Sequence, residues 1–240
     1  KPKSIDDVPV LTLTLWDKSD LYTGYDLRRL AGELCTEIKK DRDVAEFTLI
    51  GGQRRQVRIN LDPARLKAYR LSALQIMESL GKANFLLPSG RFSTGNSEIA
   101  VETGEFIHDA SELGRIVVGV YDARPIYLDA VASIVDGPEE PQHYVFMGFG
   151  PVADEKGIQN AGRGLKEAVT IAIAKKKGAN ASVVAREALR KVEALKGTLI
   201  PRDVQVTVTR NYGETAKDKS DTLLEHMLIA TLSVIILIAL

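Results

Sequence analysis

The chain has 240 residues, of which 45% are hydrophobic and 27% charged, enough apolar material for one large core or two smaller ones, so a disordered chain is excluded. Lysine and arginine (32) balance aspartate and glutamate (32), which leaves no overall field to draw the protein to nucleic acid. A single cysteine, Cys35, excludes an intrachain disulfide and reads as a small core residue on a helix face.

At the start, Lys1-Pro2-Lys3 runs into Ser4-Ile5-Asp6-Asp7 without the apolar core of an export signal, and the beginning is expected to be a cut. Val8 and Val10, then Thr12-Leu13-Thr14-Leu15-Trp16, alternate as a half-buried strand does, with Trp16 read as strand-end packing. Leu27, Leu30, Ala31, Leu34, Cys35 and Ile38 carry one apolar stripe along a helix expected over 25–40. A second strand follows over 44–50, with Ala45, Phe47 and Leu49 on one face. The same order, strand, helix, strand, returns at 169–174, 181–196 and 204–208, where Ala185, Ala188, Val192 and Leu195 repeat the stripe. Two such units can share one sheet with both helices on one face, and the pair reads as an internal duplication. The expected class is α+β: a ferredoxin-like split βαβ subdomain over 4–50 and 133–209.

Between the halves lies an inserted α+β subdomain, 51–132, entered through Gly51-Gly52. Val57, Ile59 and Leu61 alternate as a strand, Asp62-Pro63 opens a short helix, and Ser72 to Gln75 is a capping box ahead of Ile76, Met77, Leu80 and Ala83. The stretch LLPSGRFSTGNSEIAVET, 86–103, is expected to be a loop-like excursion rising into a strand at Ile99 and Val101. Such an arm buries little by itself and calls for a neighbouring subunit. Residues 116–121 and 126–135 are expected to be strands leading back to the first sheet. Residues 210–222 approach an apolar run, 223–240, that carries no charge after Glu225 and only Thr231 and Ser233 as polar interruptions. A span needs ~20 apolar residues, so the run is expected to be the start of a transmembrane helix continuing past Leu240. Glu225 and His226 fall at its headgroup level.

Chemistry-bearing patterns are few. His108, His143 and His226 stand far apart with no second ligand at helical spacing and no cysteine pair, so no zinc site is expected. Gly162-Arg163-Gly164 and Gly148-Phe149-Gly150 lack the third glycine of a dinucleotide turn. There is no P-loop and no serine framed as a nucleophile. Lys175-Lys176-Lys177-Gly178 ends a strand and reads as a solvated turn. Met77, Met147 and Met227 lie singly, unlike a soft-metal path. No cofactor is expected, and a membrane-anchored enzyme would lack its acid, base or nucleophile.

The segments SIDDVPVLTLTLW, YDLRRLAGELCTEIK, DVAEFTLIGGQRRQVRINLDPARLKAY, LSALQIMESLGKANFLLPSG, VTIAIAKKKGANASVVAREALRKVEAL and TRNYGETAKDKSDTLLEHML, in that order, resemble the resistance-nodulation-division efflux permeases, proton-driven pumps of Gram-negative inner membranes. The likeness implies that the chain is the second half of the first large periplasmic loop: a porter subdomain, an inserted docking subdomain whose arm (86–97, with Leu86, Leu87, Pro88 and Phe92) threads into the next protomer of a homotrimer, and the beginning of the second membrane helix. It also implies a periplasmic adaptor (membrane fusion) protein and an outer-membrane channel as partners, and amphiphilic small molecules as cargo. Multidrug members line their pockets with aromatic side chains. Here the matching positions are Val10, Thr12 and Ile50, and the 138–149 stretch, with His143, Tyr144, Phe146 and Phe149, either replaces part of that surface or serves as core or hinge. The proton-relay residues of such pumps lie in other membrane helices. A superfamily member exporting lipid or other cargo, or an assembly scaffold, is the alternative.

Overall fold

The computed structural model describes residues 8–84, 87–94, 97–103, 106–151, 153 and 164–239. Ser4 to Asp7, the arm residue Leu86 and the Gly162-Arg163 turn lie outside the described residues. In chain order the elements are β1 (Pro9–Asp17), α1 (Gly24–Lys39), β2 (Val44–Ile50), β3 (Arg55–Leu61), α2 (Pro63–Ala68), α3 (Ala73–Ala83), β4 (Leu87–Thr94), β5 (Ser97–Thr103), α4 (Ala110–Gly114), β6 (Val117–Tyr121), β7 (Arg124–Tyr127), α5 (Leu128–Val131), β8 (Ala132–Pro138), β9 (Phe146–Met147), β10 (Lys166–Lys175), α6 (Ala181–Leu195), β11 (Val204–Asn211) and α7 (Tyr212–Ala239). They form an α+β protein with antiparallel sheets, divided into two compact units, residues 1–54 with 139–240, and residues 55–138.

The first unit is built on a sheet in the order β11-β1-β10-β2, every pairing antiparallel, with the short β9 added to β10. Strands of both sequence repeats therefore lie in one sheet, each repeat's second strand separated from its first by a strand of the other. Leu11, Leu13 and Leu15 of β1 and Val169, Ile171 and Ile173 of β10 are fully buried, and they meet Leu27, Ala31, Leu34 and Ile38 of α1 and Val184, Ala188 and Val192 of α6 in one core. Each such leucine or isoleucine contributes about 1.5–3 kcal/mol by leaving water. Helix α1 starts at a capping box between Thr23 and Asp26, and α6 at Asn180, whose Oδ1 accepts from the Ser182 amide. The Lys191 ammonium donates to the carbonyls of Glu37 and Ile38, placing a cation on the negative end of α1. Asp17, itself buried, accepts from the backbone amides of Ser19, Leu21 and Tyr22 and so shapes the turn between β1 and α1.

Cys35 sits in this core, and burial pushes its thiol from an ordinary value near 9 up to about 12. Only the unfolded chain ionises between those values, so the contribution to stability is complete below pH 9 and is lost as the pH climbs toward 12. A thiolate-directed reagent such as N-ethylmaleimide at pH 8 is accordingly expected to leave Cys35 unlabelled in folded protein and to label it fully in denaturant. Labelling at equal rates in both states would contradict its place in the core.

The second unit has a smaller core of Ile76, Leu113, Val118, Ile126, Leu128, Val131 and Ala132. Its described strands pair two by two: β3 with β8, β4 with β5, and β6 with β7. Two expectations change here. Residues 126–135 are not one strand, because Leu128 to Val131 turn as a helix. Leu128 and Val131 are both fully buried, and a spacing of three puts them on one side of a helix but on opposite faces of a strand. The following strand, β8, pairs along its whole length with β3, from Arg55 opposite Pro138 to Leu61 opposite Ala132, and not with the first sheet. Arg55 and Asp136 add a two-pronged ion pair to that ladder, and the Arg55 guanidinium holds the Asp136 carboxyl below its ordinary range. Within the excursion expected over 86–103, Leu87–Thr94 and Ser97–Thr103 are paired antiparallel strands, Leu87 opposite Thr103 and Phe92 opposite Ile99. Its serines, threonines and glycines hide the strand periodicity in the sequence, while cross-strand pairing satisfies the backbone.

Helix α7 continues directly from β11. Its first turn packs on α6 through Gly213, where an added Cβ would stand 2.6 Å from the Ala181 carbonyl oxygen and 2.7 Å from the Ala185 methyl. At 28 residues it is about 42 Å long. From Leu223 to Ile238 its large apolar side chains are exposed all round. Among the described residues it is the one helix long and apolar enough to cross a membrane.

Candidate functional site: the open face of the sheet

The faces of β1 and β11 turned away from α1 and α6 carry threonine where the inner faces carry leucine and valine, and the same face of β10 carries Thr170 among Ala168, Ala172 and Ala174. Thr12 Oγ1 lies 2.9 Å from Thr209 Oγ1, Thr14 Oγ1 lies 3.3 Å from Thr209 Oγ1 and 2.9 Å from Thr170 Oγ1. The result is one continuous hydroxyl chain across three strands. Trp16 Nε1 donates to Thr207 Oγ1 at 2.9 Å, so the indole is held on the same face. Two departures from regular pairing aim these groups, one in β1 between Pro9 and Leu11 and one between Thr12 and Leu13 against β11.

Strand β2 extends the face at its edge. Ile50 is the register partner of Thr170 and is 45% exposed, so its side chain stands beside the hydroxyl chain and in contact with solvent. The turn beyond it is held open by Gly51 and Gly52, both at positive φ, and by the Arg28 guanidinium, which donates to the carbonyls of Leu49 and Gly51. Burial lowers the proton affinity of Arg28, and neighbouring Arg54 lowers it further, while Glu139 acts the opposite way.

One end of the face is covered. Met147 and Phe146 pair with Lys166 and Glu167, and Val145, Met147 and Phe149 pack onto Trp16 and Ala168. The Trp16 and Phe149 rings meet edge to face at 4.8 Å. Alternation along the segment turns Tyr144 and Phe146 the other way, where their rings stack at 6.3 Å and remain exposed.

The sequence-derived candidates are thus distributed as follows. Thr12 and Ile50 share the open face, and Tyr144 and Phe146 form an exposed aromatic pair on the segment that caps its end. His143 is exposed in the approach to that pair, and Val10 packs into the helix-side core. Leu87, Pro88 and Phe92 lie on β4 of the hairpin. The sequence does not distinguish Thr14, Thr170, Thr207 and Thr209, although the alternation TLTLW and VTVT is plain, because alternation does not say which side a helix will cover. A cavity of about 750 Å³ lies elsewhere, in the second unit, walled by Tyr69, Leu71, Glu78, Lys82 and Tyr121. The sheet face is by contrast a shallow wall on which Thr12, Thr170, Thr209 and Ile50 reach solvent while Thr14, Trp16, Ala168 and Ala172 are buried.

The comparisons with known proteins cover the same span. The chain is 22% identical over 234 residues to the multidrug resistance protein MdtC of Yersinia pseudotuberculosis serotype O:1b and, to the same extent, to that of Yersinia pestis bv. Antiqua. The alignment takes in 97% of this chain and 21% of each relative, so the chain spans about a fifth of their length. All of residues 1–240 match the AcrB/AcrD/AcrF family. With an antiparallel α+β body that passes into an apolar helix, the chain belongs to the AcrB/AcrD/AcrF family of resistance-nodulation-division transporters.

Proposed function

We propose that the complete protein is a proton-driven efflux transporter of the inner membrane and that this chain is part of its periplasmic portion. Residues 4–54 and 139–209 act as a ferredoxin-like porter subdomain, 55–138, with β8 held against β3, as a docking subdomain, and α7 enters the bilayer. The observation that carries this is the family match over residues 1–240. The strand order β11-β1-β10-β2, which is that of a split βαβ fold, supports the porter assignment. Thr12, Ile50, Tyr144 and Phe146 line the substrate path, with His143 beside them, and Val10 supports the wall from within. Transport comes from alternating rigid-body states of such subdomains coupled to proton flow in other membrane helices.

Expression of the complete protein in a host lacking its own pumps tests this reading. Tolerance of dyes and detergents is expected to rise several-fold. Unchanged tolerance to every compound would favour the second reading, export of lipid or other cargo, which the scarcity of aromatic groups on the hydroxyl face supports.

The hairpin of β4 and β5 serves as the arm in a homotrimer that meets an adaptor protein and an outer-membrane channel. A two-stranded ribbon is marginal on its own in water and gains burial across an interface. Replacing residues 90–95 by a short linker is therefore expected to weaken trimers on native gels while the melting transition of the protein persists. Trimers of undiminished strength would remove the arm assignment.

A further inference from the structure

The hydroxyl chain has a donor and acceptor balance with consequences for what it can bind. Four threonine hydroxyls bring four donors and eight lone pairs, and the three contacts among them consume three of each. At most one donor is left against five lone pairs, and Thr209 also lies 3.3 Å from the Thr12 carbonyl, an acceptor that competes for it. The band is thus an acceptor surface and matches groups that bring hydrogens. Thr14, only 4% exposed, links the band from beneath, while Thr12, Thr170 and Thr209 reach solvent.

Hydrogen-bonding capacity separates the candidate head groups. Arg210, the register partner of Thr12, holds its guanidinium 5.1 Å over the Tyr212 ring, and Glu46 stands in register with Ala174 further along the face, so the face carries a charge of each sign. A quaternary ammonium brings no hydrogen to the lone pairs of the band, whereas a neutral hydroxyl does. Ile50, exposed beside Thr170, supplies apolar contact next to the polar band.

We propose that the band Thr12, Thr209, Thr14 and Thr170, with Ile50 beside it, is a specificity determinant that selects amphiphiles with neutral, hydroxylated head groups, of which an alkyl glycoside is the simplest. This rests on the reading of the face as a wall of the substrate path. Thr14 is a positioning residue, and the other three threonines contact the head group.

The test uses the complete protein in a pump-deficient host, with two cargoes of equal tail length, dodecyl maltoside and dodecyltrimethylammonium. In the double variant Thr12→Val, Thr209→Val, maltoside efflux is expected to fall about tenfold relative to ammonium efflux, and the variant Thr12→Ser, Thr209→Ser is expected to restore the wild-type ratio. Retained ammonium efflux also reports a folded pump, and Thr170→Val, read in the same way, serves if the double variant does not reach the membrane. Equal loss for both cargoes, or no loss for either, overturns the proposal. Wild-type protein that exports neither cargo, nor any dye, overturns the transport reading itself, a result distinct from exporting both without discrimination.

Discussion

Replacing Gly52 by alanine is expected to destabilise the first unit by about 3 kcal/mol or more, seen as a lower melting temperature of the purified protein. Two costs combine. The residue sits at φ +65, a region that a side chain with a Cβ enters at roughly 1–2 kcal/mol. The new methyl would also stand 2.8 Å from Arg28 Cβ and Val169 Cγ2, and closer still to the carbonyl oxygen of Gly24. Backbone cannot step aside as a side-chain tip can, so α1 or β2 must shift, and with them the Arg28 bonds that hold the end of the open face. Gly32 provides the control, since nothing lies within 4 Å of its added Cβ in the middle of α1. Gly32→Ala is expected to stabilise by about 0.5–1 kcal/mol. A Gly52→Ala protein that melts with the wild type would mean that the close approach of the turn to α1 does not hold the fold.

Gly213→Leu is expected to separate the start of α7 from α6, at a cost of about 2–3 kcal/mol. Here the backbone angles are ordinary and the reason is approach alone: Ala181 and Ala185 leave no room for a Cβ, and small residues at such a crossing let two helices come close. Beside this contact a groove of about 300 Å³ runs between Ser182, Ala185 and Leu189 on α6, Asn211 at the end of β11 and Lys217 on α7. Because α7 passes from the folded body into the apolar run without a break, loosening its first turn loosens the connection between body and membrane. The measurement is a cysteine pair placed at Ser182 and Glu214. Its crosslinking should be efficient in the parent and lost in Gly213→Leu, and equal crosslinking in both would show that the helices pack elsewhere. Efflux is expected to fall together with the crosslink.

Most of the framework could be read without coordinates, for reasons visible in particular residues. Ser72 with Gln75 is a local capping signal, and the stripe from Leu27 to Ile38 requires only the pitch of a helix, so α1 and α3 fall where the local pattern puts them. The alternation from Thr12 to Trp16 and from Val204 to Val208 likewise marks strands, and the uncharged run after Glu225 marks a helix suited to lipid. Local signals failed in two places in the second unit. Leu128 and Val131 become helical because the core of the second unit can take both on one side, and Leu87–Thr94 and Ser97–Thr103 become strands because they pair with each other. The candidate site shows the same division. Which residues alternate is written in the order of the chain, and so Thr12 and Ile50 could be named. That Thr14, Thr170, Thr207 and Thr209 join them, and that Val10 does not, depends on three strands drawn from both ends of the chain lying side by side and on both helices covering the opposite face. Periodicity is a property of one segment, whereas a surface shared by several strands exists only once their register and covering have been settled by packing.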